Sequence, residues 1–517
     1  MKFQVKVGDI NFAQEISEEN SFKDNNTKDI EFKSFNDLLP NTYLVKTSNG
    51  LPFESTISLG EPEEYSKSIP GITTFRGNNY RDSATYGIQN IVNKTLEKKW
   101  TRTNGNTDNW TGVGWNGQPA IVKWNDTLKS HMNLYDEFKE KENFIEVIYG
   151  TLDSNVHFYD LETGSSTRPS IKLNSSIKGS VTIDPRGYPL LYVGQGINEV
   201  SGESVPMGYH IYSLIDGKEL LFIDGRDNYA YSGWGAFDGN PIIDSKTDTL
   251  ILPGENGIIY IVKLNTLYNE SLGTISIDPN ITRYKYTVNS KTGGTENAIA
   301  IYKNYAFFLN NNGLLQCLDL KTLTPVWFYE MGDDCDATIA IEEEKNSIVL
   351  YAATEVDRRM MDSPAYVRKF KANTGELIWE YSCDCIFDAD VNGGVLSSPV
   401  LGKNSISNMV IFNFSKVTNK KDGKMVALDK ENGSIIWEKD LTYYSWSSPV
   451  AIYNEKGDAY IIFCNSVGQV LLIDAKTGET LYTLNTGGGN IEGSPAVYEN
   501  IFVIGTRGKR IYGIEIK

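Results

Sequence analysis

Apolar and polar positions along this chain alternate in short runs, and the runs come in pairs. In residues 423–437 an apolar run (425–428) ends at Asp429, a polar tight turn closes at Gly433, and a second apolar run ends at Trp437. This pattern predicts two antiparallel strands joined by a hairpin. Asp429 can accept hydrogen bonds from the turn's own N–H groups, and Gly433 can take positive φ without a Cβ clash. Residues 471–478 and 158–164 repeat the pattern closely, and 317–327 more loosely. Residues 366–379 keep the turn and the tryptophan but carry Lys371 at the Asp position.

From residue 117 the hairpins group into units of four short strands, A to D. Unit one has strands near 117–122, 147–150, 156–160 and 170–173; unit two near 181–183, 190–194, 210–215 and 219–223. Unit three has them near 240–243, 249–252, 258–264 and 284–288. Units four to seven begin near Ala298, Thr338, Pro399 and Pro449. The eighth has strands at 493–497 and 501–505, and the chain ends within its third, 510–516. The turn glycines Gly164, Gly217, Gly375, Gly433 and Gly478 keep a period of roughly 50 residues, the signature of a propeller. The eighth unit lacks a fourth strand, and an isolated strand at 96–102 lacks a partner. Pairing them closes the ring and removes two sheet edges. The expected fold class is all-β: an eight-bladed β-propeller of four-stranded antiparallel blades, closed by that N-terminal strand. Residues 1–70 are polar and without period, and are expected to form an N-terminal extension to a propeller domain at 71–517.

The repeat resembles that of the PQQ-like, or quinoprotein-dehydrogenase-like, propellers, roughly A-x-D-x-x-T-G-x-x-x-W. Ala427, Asp429, Gly433 and Trp437 match it, as do Asp474, Thr477 and Gly478, and Thr374, Gly375 and Trp379. Residues 75–78, Phe-Arg-Gly-Asn, resemble a motif that often precedes blade one in that family. The resemblance implies the fold, with the tryptophan of one blade packed against the turn of the next. It does not fix a function, because the family holds both enzymes and scaffolds. Its enzymes bind pyrroloquinoline quinone beside calcium, commonly over a disulfide between adjacent cysteines. Here the nearest feature is Cys383-Asp-Cys385. PQQ is therefore not expected, and the scaffold members, such as the lipoprotein component of the outer-membrane β-barrel assembly machinery, are the nearer analogy.

Composition changes the picture in three ways. The 30 Tyr, 9 Trp and 46 Gly suit half-buried strands and turns. A net charge of −17 argues against nucleic acid and anionic membrane as main partners. No apolar run is long enough to span a bilayer, and residues 1–7 do not read as a signal peptide. The expected location is extracytoplasmic or at the cell surface, with an export segment outside this chain; the cytoplasm is the alternative.

Function is expected where the repeats differ. The D-to-A and B-to-C loops share one face of the ring. Its D-to-A loops supply Trp110 and Trp115; Tyr229, Tyr231 and Trp234; and Tyr443, Tyr444 and Trp446. Such aromatics can stack on sugars or clamp a peptide or cation, or simply fill the channel and pack between blades. Asp388, Asp390 and Asn392, followed by Gly393, resemble the first half of a calcium loop. Cys335 lies before blade five and Cys383 and Cys385 before blade six, so a bridge from Cys335 to one of them would fit an oxidising compartment. Asp333, Asp334 and Asp336, with Arg358 and Arg359 nearby, could do acid/base work but read better as an acidic rim. His131, His157 and His210 suggest no Ser-His-Asp set. An insertion at 125–143 is expected to contain a short amphipathic helix. The reading favoured is a non-enzymatic scaffold presenting the loop face to a protein, peptide or glycan. The alternative is a quinoprotein dehydrogenase or carbohydrate-active enzyme using the same face.

Overall fold

A computed structural model describes residues 30–33, 43–48, 53–289, 292–389 and 391–517. Its strands form an eight-bladed propeller of mostly four-stranded antiparallel blades, strand A innermost and D outermost. Blade six runs Val400–Leu401, Met409–Ser415, Gly423–Asp429 and Ile435–Leu441. The ring closes as the sequence predicts. Leu96–Thr103 pairs antiparallel with Arg510–Ile516, Leu96 opposite Ile516 and Thr103 opposite Arg510.

The recurrent hairpin is a joint between blades. Asp429 Oδ1 accepts the N–H groups of Glu431 (2.9 Å) and Asn432 (3.2 Å), and Gly433 has φ +73°. A Cβ on Gly433 would stand 2.8 Å from the indole of Trp379 on the outer strand of blade five. That indole N–H donates to the Lys430 carbonyl in the same turn at 3.0 Å. Trp327 bonds Ala372 of blade five, and Trp437 bonds Ala475 of blade seven. Trp100 of the closing strand bonds Leu161 of blade one at 2.7 Å, so the seam of the ring uses the same lock.

The middle of the ring is filled by the chain itself. Gly71–Ile72 pairs with the inner strand of blade one. The carbonyls of Thr73, Asn79, Tyr80 and Ala84 then accept N–H groups of Ile183 (blade two), Ile301 (four), Ile341 (five) and Val497 (eight) at 2.7–2.9 Å. Arg76 donates to the carbonyls of Pro449 (2.8 Å) and Pro399 (2.9 Å), where blades seven and six begin. Arg81 donates to Asn240 (3.0 Å), Pro241 (2.9 Å) and Ile299 (2.8 Å), where blades three and four begin. One segment thus ties all eight inner strands. Burial pushes both guanidinium groups down to about 10, so they remain charged at neutral pH, with carbonyl dipoles in place of a carboxylate partner.

Other described segments decorate the rim. Tyr43–Thr47 adds a strand outside blade three, antiparallel to Asn280–Val288. Lys33 N–H donates to Asn373 of blade five, and Leu59 N–H to Lys303 of blade four. The insertion forms two short helices, Asp126–His131 and Asp136–Lys139, whose Leu128, Met132 and Phe138 join the core shared by blades one and two. A hairpin of Leu267–Asn269 and Thr274–Ser276, which the strand pattern did not predict, follows the third strand of blade three. Among the described residues no helix is long and apolar enough to cross a membrane.

Candidate functional site

The loop face is built from two loop sets bonded to each other. Glu255 in blade three's B-to-C turn donates its N–H to Ala236 of the preceding D-to-A loop (3.2 Å). Glu355 of blade five donates its N–H to Asp334 in the same way (2.9 Å). Strand alternation delivers these side chains to the face, and the turns hold them there.

The aromatics fall into three groups rather than one funnel lining. Trp110 and Trp234 flank Lys178, with Nζ 5.4 and 6.0 Å from their rings. The Trp234 indole donates to Glu255 Oε2 at 2.7 Å and remains 38 % exposed. Tyr229 and Tyr231 instead enclose Lys285 of blade three's outer strand, at 4.1 and 4.6 Å. Tyr444 lies 6.2 Å from Trp446 and 5.3 Å from Lys416 Nζ. Trp446 donates to the Asn392 carbonyl at 3.3 Å. Trp115 is half-buried and its N–H bonds Glu492; Tyr443 is half-buried on the same loop as Tyr444.

The proposed calcium half-loop is divided. Asp388 accepts from Lys416 (2.7 Å) and Lys420 (3.1 Å), whereas the Asn392 amide donates to Glu355 Oε2 at 2.8 Å. Asp390 lies outside the described residues. All five cysteines are free thiols. Cys335 is buried beside the Asp333 carbonyl, and Cys385 Sγ donates to the Cys383 carbonyl at 3.5 Å. Cys383 and Cys385 stand on the outermost strand of blade five, Leu377–Cys385.

The structure gathers a set of carboxyl groups in the loops of blades two to five, most of which the sequence did not single out. Asp238, Glu255 and Glu296 form one cluster, and Asp334, Asp336 and Glu355 a second. Only Asp334 and Asp336 carried a sequence signal. Burial raises Asp334 to about 9, helped by the charges of Glu355 and Glu296; burial also raises Glu355 to about 8 against hydrogen bonds from Asp336 and Asn392. Burial likewise lifts Asp238, Glu255 and Glu296. Lys178 is the counter-charge: burial alone would lower it, but Asp238, Glu255 and Glu296 overcome that and hold it protonated. Asp333 is structural, accepting the N–H groups of Asp334 (2.9 Å) and Arg358 (2.8 Å).

One histidine differs from expectation. His157 lies between Asp153 (Nε2, 3.1 Å) and exposed Ser170 (Nδ1, 3.0 Å), so a Ser, a His and an Asp do meet on blade one. It ties the turn at Asp153 to the segment before the fourth strand. His210 is sandwiched between Glu219 and Gln195.

Comparison with known proteins agrees with the repeat and the fold. The family model described as outer membrane protein assembly factor BamB matches residues 363–517. BamB from Moraxella catarrhalis is similar in structure, with 15% identity and a TM-score of 0.50 over 82% of this chain and 98% of that one. The quinohemoprotein alcohol dehydrogenase ADHIIG from Pseudomonas putida HK5 is similar at 11% identity and a TM-score of 0.60, over 89% of this chain and 83% of that one. The quinohemoprotein alcohol dehydrogenase from Comamonas testosteroni gives 12% identity and a TM-score of 0.59, over 86% and 80%. No curated protein matches the sequence. The resemblance read from residues 427–437 and its repeats is thus shown as a fold relationship, shared by a scaffold and by enzymes.

Proposed function

We propose that this propeller is a non-enzymatic binding scaffold that presents its loop face to a protein partner, engaging a basic, amphipathic segment of that partner. The observation that carries the reading is the Asp334, Asp336 and Glu355 cluster, whose Glu355 leads into the blade-five loop where Met360 and Met361 are 74 and 62 % exposed. Buried carboxyl groups favour an incoming ammonium or guanidinium, which restores their ionised form. Two adjacent exposed methionines offer an adaptable apolar contact beside them. The match to a model named for an assembly factor supports a protein partner and an extracytoplasmic setting. The central segment 71–86 fills the ring, which favours binding on the face over binding through the channel.

Anisotropy titrations with a labelled Lys/Leu amphipathic peptide and its Glu/Leu counterpart test this. The basic peptide is expected to bind, to weaken in high salt, and to lose at least about tenfold affinity in Met360→Ser/Met361→Ser, roughly 1.4 kcal/mol. Equal binding of both peptides, or indifference to the substitutions, overturns the reading. A quinone chromophore retained with added calcium would move the chain to the enzymes.

A further inference from the structure

The Asp238, Glu255 and Glu296 cluster has features that a partner's side chain does not explain. Its three residues come from three loops, those leading into blades three and four and the B-to-C turn of blade three. One oxygen from each lies within 4.8 Å of the others. Asp238 is 1 % exposed and Glu255 6 %. Neither oxygen of Asp238 accepts a hydrogen bond, nor does Glu255 Oε1. Lys178 Nζ is 3.4 Å from Asp238 Oδ2, a long ion pair. Orphaned carboxylate oxygens at this depth are costly unless something else meets them.

The surroundings fix two of the ligands and leave room for little else. The Trp234 indole holds Glu255 Oε2 at 2.7 Å, and the Asn311 amide holds Glu296 Oε1 at 2.6 Å. Each carboxylate is oriented through one oxygen, the arrangement that outer-sphere partners give to metal ligands. Glycines let the loops close over the cluster. A Cβ on Gly196 would stand 2.6 Å from Asp238 Oδ1, and one on Gly294 would stand 2.2 Å from the Glu255 carbonyl oxygen. Three ionised carboxylates with one ammonium leave two negative charges, the charge that one divalent cation neutralises. The donors are all oxygen, which selects a hard cation. A calcium ion, with oxygens at about 2.3–2.6 Å, bridges this span without moving a loop and tolerates irregular geometry better than magnesium.

We infer that Asp238, Glu255 and Glu296 form a calcium-class divalent cation site on the loop face, with Lys178 completing its charge balance. The site stands apart from the partner reading, because the free chain binds the ion by itself. It is also distinct from the half-loop at Asp388.

Calorimetry with CaCl2 on chelator-treated, dialysed protein, and terbium luminescence excited through tryptophan, test the assignment. The expected result is one calcium per chain, and terbium luminescence that calcium displaces. Asp238→Asn and Glu255→Gln should each weaken binding by at least about tenfold, while Asp388→Ala leaves it unchanged. Trp234→Phe should dim the terbium signal and weaken calcium binding, because Glu255 loses the indole that orients it. Neutral isosteres in an apo carboxyl cluster keep the fold, which circular dichroism checks. No calcium heat in the parent protein, or binding that survives both Asp238→Asn and Glu255→Gln, overturns the inference.

Discussion

At the scale of single residues, the joint between blades depends on a pair that touches across a blade boundary. Trp379 supplies buried area and one hydrogen bond to Lys430, and Gly433 supplies the absence of a Cβ beneath the indole. Removing the ring leaves a cavity between blades five and six. Trp379→Ala should therefore cost about 3–5 kcal/mol, read as a lower urea midpoint. Trp379→Phe keeps most of the packing and should lose nearer to ~1 kcal/mol for the indole N–H bond. Equal losses in the two variants would show that the packing contributes little. This joint was legible in the sequence because it is local and repeated: Asp429, Gly433 and Trp437 recur at fixed offsets, so each copy vouches for the others. Asp238, Glu255 and Glu296 were not legible. They stand far apart in the chain, no offset relates them, and each alone reads as an ordinary acidic loop residue.

At the scale of elements, residues 75–78 were visible as a motif ahead of blade one, but its work was not. An arginine followed by Gly-Asn in a polar region suggests a surface turn. Its burial follows only once eight inner strands present their carbonyls to a common axis. Arg81 shows the consequence. Its guanidinium makes five hydrogen bonds, to Phe75, Thr74, Asn240, Pro241 and Ile299. Arg81→Met keeps much of the volume and strands those acceptors, each worth about 1–3 kcal/mol when left unpaired in the interior. The variant should lose at least ~3 kcal/mol and melt well below the parent protein, while Lys476→Met on an exposed turn should change stability by less than ~0.5 kcal/mol. If both melt alike, the central segment merely occupies the channel. The extra strand Tyr43–Thr47 and the blade-three hairpin escaped the sequence reading for a related reason. Both lie outside the repeat: Tyr43–Thr47 takes its partner from a strand about 240 residues away, and the hairpin, though local, has arms of only three residues.

At the scale of the whole molecule, a ring tied at its centre and locked at its seam is rigid enough to hold like charges together in its loops. Two carboxyl clusters share the loop face, and the second, Asp334 with Asp336 and Glu355, has a consequence for stability. Burial raises Asp334 to about 9 and Glu355 to about 8, whereas the unfolded chain titrates them near the ordinary carboxylate values of about 4. Between those limits the folded state binds more protons than the unfolded one, so stability falls as pH rises. Their contribution is fully present below pH ~4 and is lost as pH climbs through about 8 to 9. Melting temperature measured in chelator from pH 4.5 to 9 should therefore decline towards alkaline pH. Glu355→Gln cannot ionise, so it should flatten that decline and melt above the parent protein at pH 9. Asp440→Asn, on the exposed outer strand of blade six, should leave the slope unchanged. A parent slope that Glu355→Gln does not alter would mean that the cluster is ionised in the folded state. Its charge would then have to be met by a bound cation or partner, and repeating the titration with calcium and with the basic peptide would tell which.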